Sequence, residues 1–124
     1  MSWLPWELKT DRQIWLQLAD TLTEQIVSGQ YPPGVRIPSV RDLAAEAGVN
    51  PNTMQRALAY LEDSGLVSAQ RNSGRYVTED ADLIGFTRRK LALSELKKFY
   101  EKMNQLGFSE QEITELCKKK EESE

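Results

Sequence analysis

The chain has 124 residues, 40% hydrophobic and 28% charged, with a net charge of −3, no histidine and a single cysteine. That length and ordinary globular composition suit one small domain with an appended element, and leave no room for a large ligand-binding domain. An internal disulfide, a Cys/His metal cluster and a His-based catalytic relay lack their raw material, and the cofactor expectation is none.

The opening Met1-Ser2-Trp3-Leu4-Pro5-Trp6 has neither the basic start nor the apolar core of a signal peptide, and no apolar run approaches a membrane span, so the expected location is cytoplasmic. From Asp11, a candidate N-cap, the pattern turns helical: Trp15, Leu18, Leu22 and Ile26 recur by three and four and share a face, and Gly29 stops the helix. Tyr31-Pro32-Pro33-Gly34 then makes a rigid turn into a short extended piece, Val35-Arg36-Ile37.

Ser39 and Asp42 resemble a capping box and open a short helix whose inner face is Val40, Leu43, Ala44 and Ala47, ended by Gly48. Only Val49 intervenes before Asn50-Pro51, an N-cap followed by the residue preferred at the first helical position. The helix that begins there runs through Thr53, Met54, Ala57, Leu58 and Leu61 to Ser64, with Gly65 as its stop. Two short helices across a tight glycine turn make a helix-turn-helix. Extended runs at 66–70 and 75–78, separated by Arg71-Asn72-Ser73-Gly74, then predict a hairpin, which in this place is a wing.

A boundary is expected at the acidic stretch Glu79-Asp80-Ala81-Asp82, dividing a winged domain (1–79) from a helical tail (80–124). In the tail, Leu96, Phe99, Met103 and Leu106 form an apolar seam flanked by Leu93 and Tyr100. Gly107 closes that helix, and Ser109-Glu110-Gln111-Glu112 is a capping box for a last helix carrying Ile113 and Leu116. Cys117 reads as a packing residue, with redox chemistry as its alternative, and the run from Lys118 to Glu124 is expected to fray. The fold class is therefore α+β, mostly α: an N-terminal winged helix-turn-helix with a small C-terminal two-helix dimerisation element.

The net negative charge counts against nucleic acid until its distribution is considered. Arg36, Arg41, Arg56, Arg71 and Arg75 gather in the central part of the chain, and arginine suits directional contacts to phosphate or guanine. The start of a second helix in such a pair enters the major groove, which makes Asn52, Thr53 and Gln55 the base-reading candidates. Asn50 divides between base contact and N-cap. Arg56 divides between a phosphate and a neighbouring acid. Arg41 suits a phosphate or groove contact in the first turn of its helix, or else a surface salt bridge to Asp42 or Glu46. Arg71 and Arg75 flank the wing turn, where guanidinium groups can reach a minor groove, or else they decorate a solvated hairpin.

On Gly34-Val35-Arg36-Ile37-Pro38-Ser39-Val40-Arg41-Asp42-Leu43-Ala44, then 48–58, then Leu61-Glu62-Asp63-Ser64-Gly65-Leu66-Val67, the run from Ile14 to Val77 resembles the DNA-binding domain of the GntR family of bacterial transcription regulators. The short helical tail, with Asn-Pro-Asn-Thr opening the reading helix, is similar to the YtrA subfamily. The resemblance implies a homodimeric repressor on a palindromic double-stranded operator, such as one controlling transporter genes of the ABC type. It places DNA contacts on Arg41, on Asn50, Asn52, Thr53 and Gln55, and on the wing from Arg71 to Arg75. It also implies a two-helix dimerisation tail, for which the apolar positions Leu96, Phe99, Met103, Leu106, Ile113 and Leu116 are the expected pairing residues. Many members carry arginine where Pro51 stands and glycine where Asn72 stands, so contacts by those residues do not transfer. A winged helix serving protein interaction is the alternative, and an enzyme is not expected.

Overall fold

A computed structural model describes residues 6–9 and 12–122. The element order is α1 (Ile14–Val27), α2 (Val40–Ala47), α3 (Pro51–Asp63), β1 (Val67–Gln70), β2 (Gly74–Val77), α4 (Ala81–Gln105) and α5 (Glu110–Glu122). Two compact units result, one ending at Arg88 and one beginning at Arg89. No helix among the described residues is long and apolar enough to cross a membrane.

In the first unit α1 and α2 both pack against α3. Leu18, Leu22 and Ile26 are at most 2% exposed and meet Leu43, Met54, Leu58 and Leu61, each fully buried, in one apolar cluster. Burial of such side chains contributes about 1.5–3 kcal/mol apiece and is the main force holding the three helices together. Asp11 lies outside the described residues, and α1 begins at Ile14 with Gln13 at its N-cap position. Trp15, expected at the head of the core seam, is only half-buried and stands apart from the apolar cluster.

The caps follow the expected chemistry. Ser39 Oγ accepts from the Asp42 amide at 3.1 Å, and Asn50 Oδ1 accepts from the Asn52 amide at 2.7 Å. Gly48, at φ 71°, turns the chain between α2 and α3 in the left-handed region that a side chain resists.

β1 and β2 pair antiparallel, Val67 opposite Val77 and Gln70 opposite Gly74. Asn72 holds the turn at φ 60°, a conformation asparagine tolerates better than other non-glycine residues, so its place in a glycine position is accommodated. The extended piece at 34–37 runs along the other side of β2: the Ile37 amide donates to the Arg75 carbonyl and the Val77 amide to the Val35 carbonyl, each at 2.9 Å.

The acidic stretch after the wing is a helix start. Asp80 Oδ1 accepts from the amides of Asp82 and Leu83 at 3.1 Å and caps α4. The first turns of α4 belong to the first unit: Ile84 is buried, and Arg88 Nε donates to the Val27 carbonyl at the end of α1, at 2.8 Å. The expected division between residues 79 and 80 thus meets the entry to α4, whereas the first compact unit extends to Arg88.

In the second unit the Phe108 amide donates to the Met103 carbonyl at 3.1 Å, closing α4 over Gly107. Ser109 and Glu112 form the reciprocal capping box, at 3.0 and 3.2 Å. The Ser109 amide, and after it the Ser109 hydroxyl, hold the Glu112 carboxyl below its ordinary range. A lowered folded value means that the cap's contribution is present above the unfolded-state pKa and is lost as pH falls through the folded one. An NMR titration is expected to show the Glu112 midpoint rising in S109A. Helix α5 continues to Glu122, past the start of the expected fraying.

Ile113 is fully buried, whereas Cys117 is exposed, so the packing role expected of that thiol is not realised. One helical turn beyond Ile113, the side of α5 that carries Cys117 already faces solvent.

Candidate nucleic-acid interface

The reading surface is built on α3. Met54, Ala57, Leu58 and Leu61 take its inner side, which turns Asn52, Arg56 and Ala59 outward, with Gln55 beside them towards the wing. Asn52 and Gln55 are exposed, and their side chains make no hydrogen bond among the described residues. Amides held on a rigid helix without internal partners are free to pair with adenine edges. Thr53 is half-buried behind them. Asn50 sits exposed at the helix start, but its oxygen is occupied as the N-cap, leaving the amide NH2 as its available donor.

The arginines separate into two groups. Arg41, in the first turn of α2, and Arg71, in the wing turn, are exposed and make no ion pair among the described residues; the salt bridge from Arg41 to Asp42 or Glu46 is not formed. The Glu46 carboxylate instead accepts from Trp6 Nε1 at 3.2 Å.

Of the other three, Arg75 and Arg56 are engaged by side chains of the protein. Arg75 Nε donates to Glu62 Oε1, an ion pair with both side chains partly shielded, which fastens β2 to the end of α3. The tie uses Nε and sets Arg75 on the strand beyond the turn, facing the helix. Arg36 lies exposed beside Gly74, whose φ of 99° is a conformation that favours glycine. Arg56 pairs with no acid among the described residues; its guanidinium carbon lies over the Trp15 ring, 4.3 Å from the ring centre.

Sequence reasoning missed Glu62, Trp15 and Tyr60, the last packing its ring 5.7 Å from that of Trp15. The available signal was a large aromatic at the exposed end of the α1 seam, facing an arginine and a tyrosine spaced by four on α3.

In the second unit Leu93, Leu96, Phe99, Leu106 and Leu116 are all exposed, and Met103 is half-exposed. Ile113, counted with the pairing residues, is buried inside the chain and presents no surface.

The family described as bacterial regulatory proteins, gntR family, matches residues 15–77, just over half of the chain. The uncharacterized HTH-type transcriptional regulator YhcF of Bacillus subtilis is 33% identical over 109 residues, 88% of this chain and 90% of that protein. The HTH-type transcriptional repressor YtrA of the same organism is 34% identical over 73 residues, 59% of this chain and 56% of its own length. A solved GntR family transcriptional regulator from Listeria monocytogenes has a TM-score of 0.82 at 33% identity, covering 90% of this chain and 98% of that one. These relatives are transcriptional regulators, not enzymes. The chain belongs to the GntR family and is a DNA-binding transcriptional regulator.

Proposed function

We propose that this regulator is a cytoplasmic homodimeric repressor that reads a palindromic operator through α3, with residues 1–79 binding DNA and residues 80–124 pairing the subunits. The carrying observation is the outward start of α3, where Asn52 and Gln55 stand exposed and their side chains make no hydrogen bond among the described residues. Asn52, Thr53 and Gln55 address bases, with Asn50 contributing its NH2 group. Arg41, Arg56 and Arg71 address phosphate and the groove walls. Arg36 and Arg75 shape the wing that carries Arg71.

Dimerisation is supported by the apolar seam, since exposed apolar side chains gathered on so small a unit mark an interaction surface. Leu96, Phe99, Met103, Leu106 and Leu116 supply that surface, and Ile113 supports it from within. Repression is supported by the likeness to the repressor YtrA. Genes for an ABC-type transporter next to an inverted repeat are the expected target.

Fluorescence anisotropy on the upstream region of the protein's own operon tests the reading. Binding is expected to exceed that to random DNA and to fall steeply with salt. Q55A should lose about 1–3 kcal/mol of discrimination for each bidentate base pairing it abolishes. R41A should weaken binding to all sequences and flatten the salt slope by about 0.9 for each phosphate it leaves unneutralised. Equal affinity for operator and random DNA would overturn the proposal.

A further inference from the structure

Trp15 is a large aromatic that the core does not use. It lies outside the apolar cluster, is half-buried, and spends one ring face on the Arg56 guanidinium, 4.3 Å from the ring centre. Two neighbours fix the indole. Gln13 Oε1 accepts from its Nε1 at 2.6 Å, and the Tyr60 ring lies 5.7 Å away, tilted by 59°. Arg56 has no acidic partner among the described residues, and Glu62, the nearest acid further along α3, is committed to Arg75. The cation lies over the indole, and its N–H donors make no hydrogen bond among the described residues.

We infer that Trp15 is a positioning residue for DNA binding: it restrains Arg56 over its ring so that the guanidinium N–H groups meet a backbone phosphate beside the groove that α3 enters. The inference rests on the reading of α3 as the DNA-contacting helix. A free arginine must lose side-chain freedom when it grips a phosphate, and one already stacked has lost much of it beforehand. The planar edge also matches two phosphate oxygens at once. Since phosphate contacts carry no base information, the device raises affinity for every sequence and helps to fix the orientation in which Asn52 and Gln55 meet the bases.

The experiment titrates the full chain against an operator duplex and a random duplex of equal length across a salt series. R56A is expected to weaken binding to both and to flatten the salt slope by about 0.9 for each phosphate that Arg56 neutralises in the wild type. W15L should reproduce that change of slope, with affinity falling about two- to fivefold, the size of an exposed cation–π interaction. In the R56A background W15L should add nothing, and W15F should recover part of the affinity. Q13A, at an exposed residue whose side chain makes no cap bond, should weaken binding in the same direction with an unchanged melting temperature.

W15L and Q13A binding with the wild-type slope while R56A does not would overturn the inference. So would an equal loss of affinity from W15L with and without Arg56, which marks a general structural effect. Wild-type operator binding unaffected by R56A overturns this inference alone. Absence of salt-dependent binding by the wild type removes the α3 reading together with it.

Discussion

A carboxylate placed in the C-terminal seam, by L96E or F99E, is expected to yield a folded chain that no longer binds its operator tightly. Leu96 is 51% exposed and Phe99 41%, so neither change asks the single subunit to bury a charge. The burden falls on the proposed dimer, where each subunit would carry an unpaired carboxylate into the apolar seam at a cost of several kcal/mol. At about 1.4 kcal/mol per factor of ten, dimerisation weakens by at least about a hundredfold. Operator affinity follows, because a monomer has one reading helix and half of the base and phosphate contacts. Sedimentation should show a monomer at micromolar concentration with an unchanged far-UV circular dichroism spectrum. A variant that stays dimeric would remove the seam from the interface.

L58A should have the opposite profile. Leu58 is fully buried on the inner side of α3, among residues of α1, α2 and the wing. Removing its branched end sacrifices burial and leaves a cavity that fixed helices close only in part, at a cost of about 2–5 kcal/mol. For a domain of this size each kcal/mol lowers the melting temperature by about 4–8 °C. Well below the new melting point, preference for operator over random DNA should be retained, because the Asn52 and Gln55 side is untouched. Thermal melts paired with anisotropy therefore separate α3 as a core element from α3 as a reader. Loss of sequence preference in fully folded L58A would show that the two sides of the helix are not independent.

The elements were legible where one residue type has one job. Gly29, Gly48 and Gly65 all take positive φ at helix ends, as expected, and Asn50 caps α3. Those signals are local, fixed by sterics and by hydrogen bonds a few residues away. The start of α4 is harder to read, because an aspartate at a helix N-cap has the same appearance in sequence as an acidic linker. The arginines were harder for a different reason. What holds Arg75 lies thirteen residues back on another element, and Arg56 meets an indole from α1. Such pairings depend on how helix and strand cross in space, and composition records only that the charge exists. Ile113 and Cys117 show the same limit: periodicity finds the apolar side of a helix without showing how far along it other groups extend.

The lacing of residues 34–37 to β2 also bears on how this protein behaves when crowded. A lone two-stranded hairpin is marginal in water and exposes two rows of unpaired backbone groups. Here β2 is bonded on both sides, to β1 and to the segment before α2. The outer edges are then the short 34–37 segment and the four-residue β1, three of whose residues, Ser68, Ala69 and Gln70, offer no large apolar side chain. An edge so short and polar is a poor template for strand addition, so the wing proposed to approach DNA is also protected against fibre-like self-association.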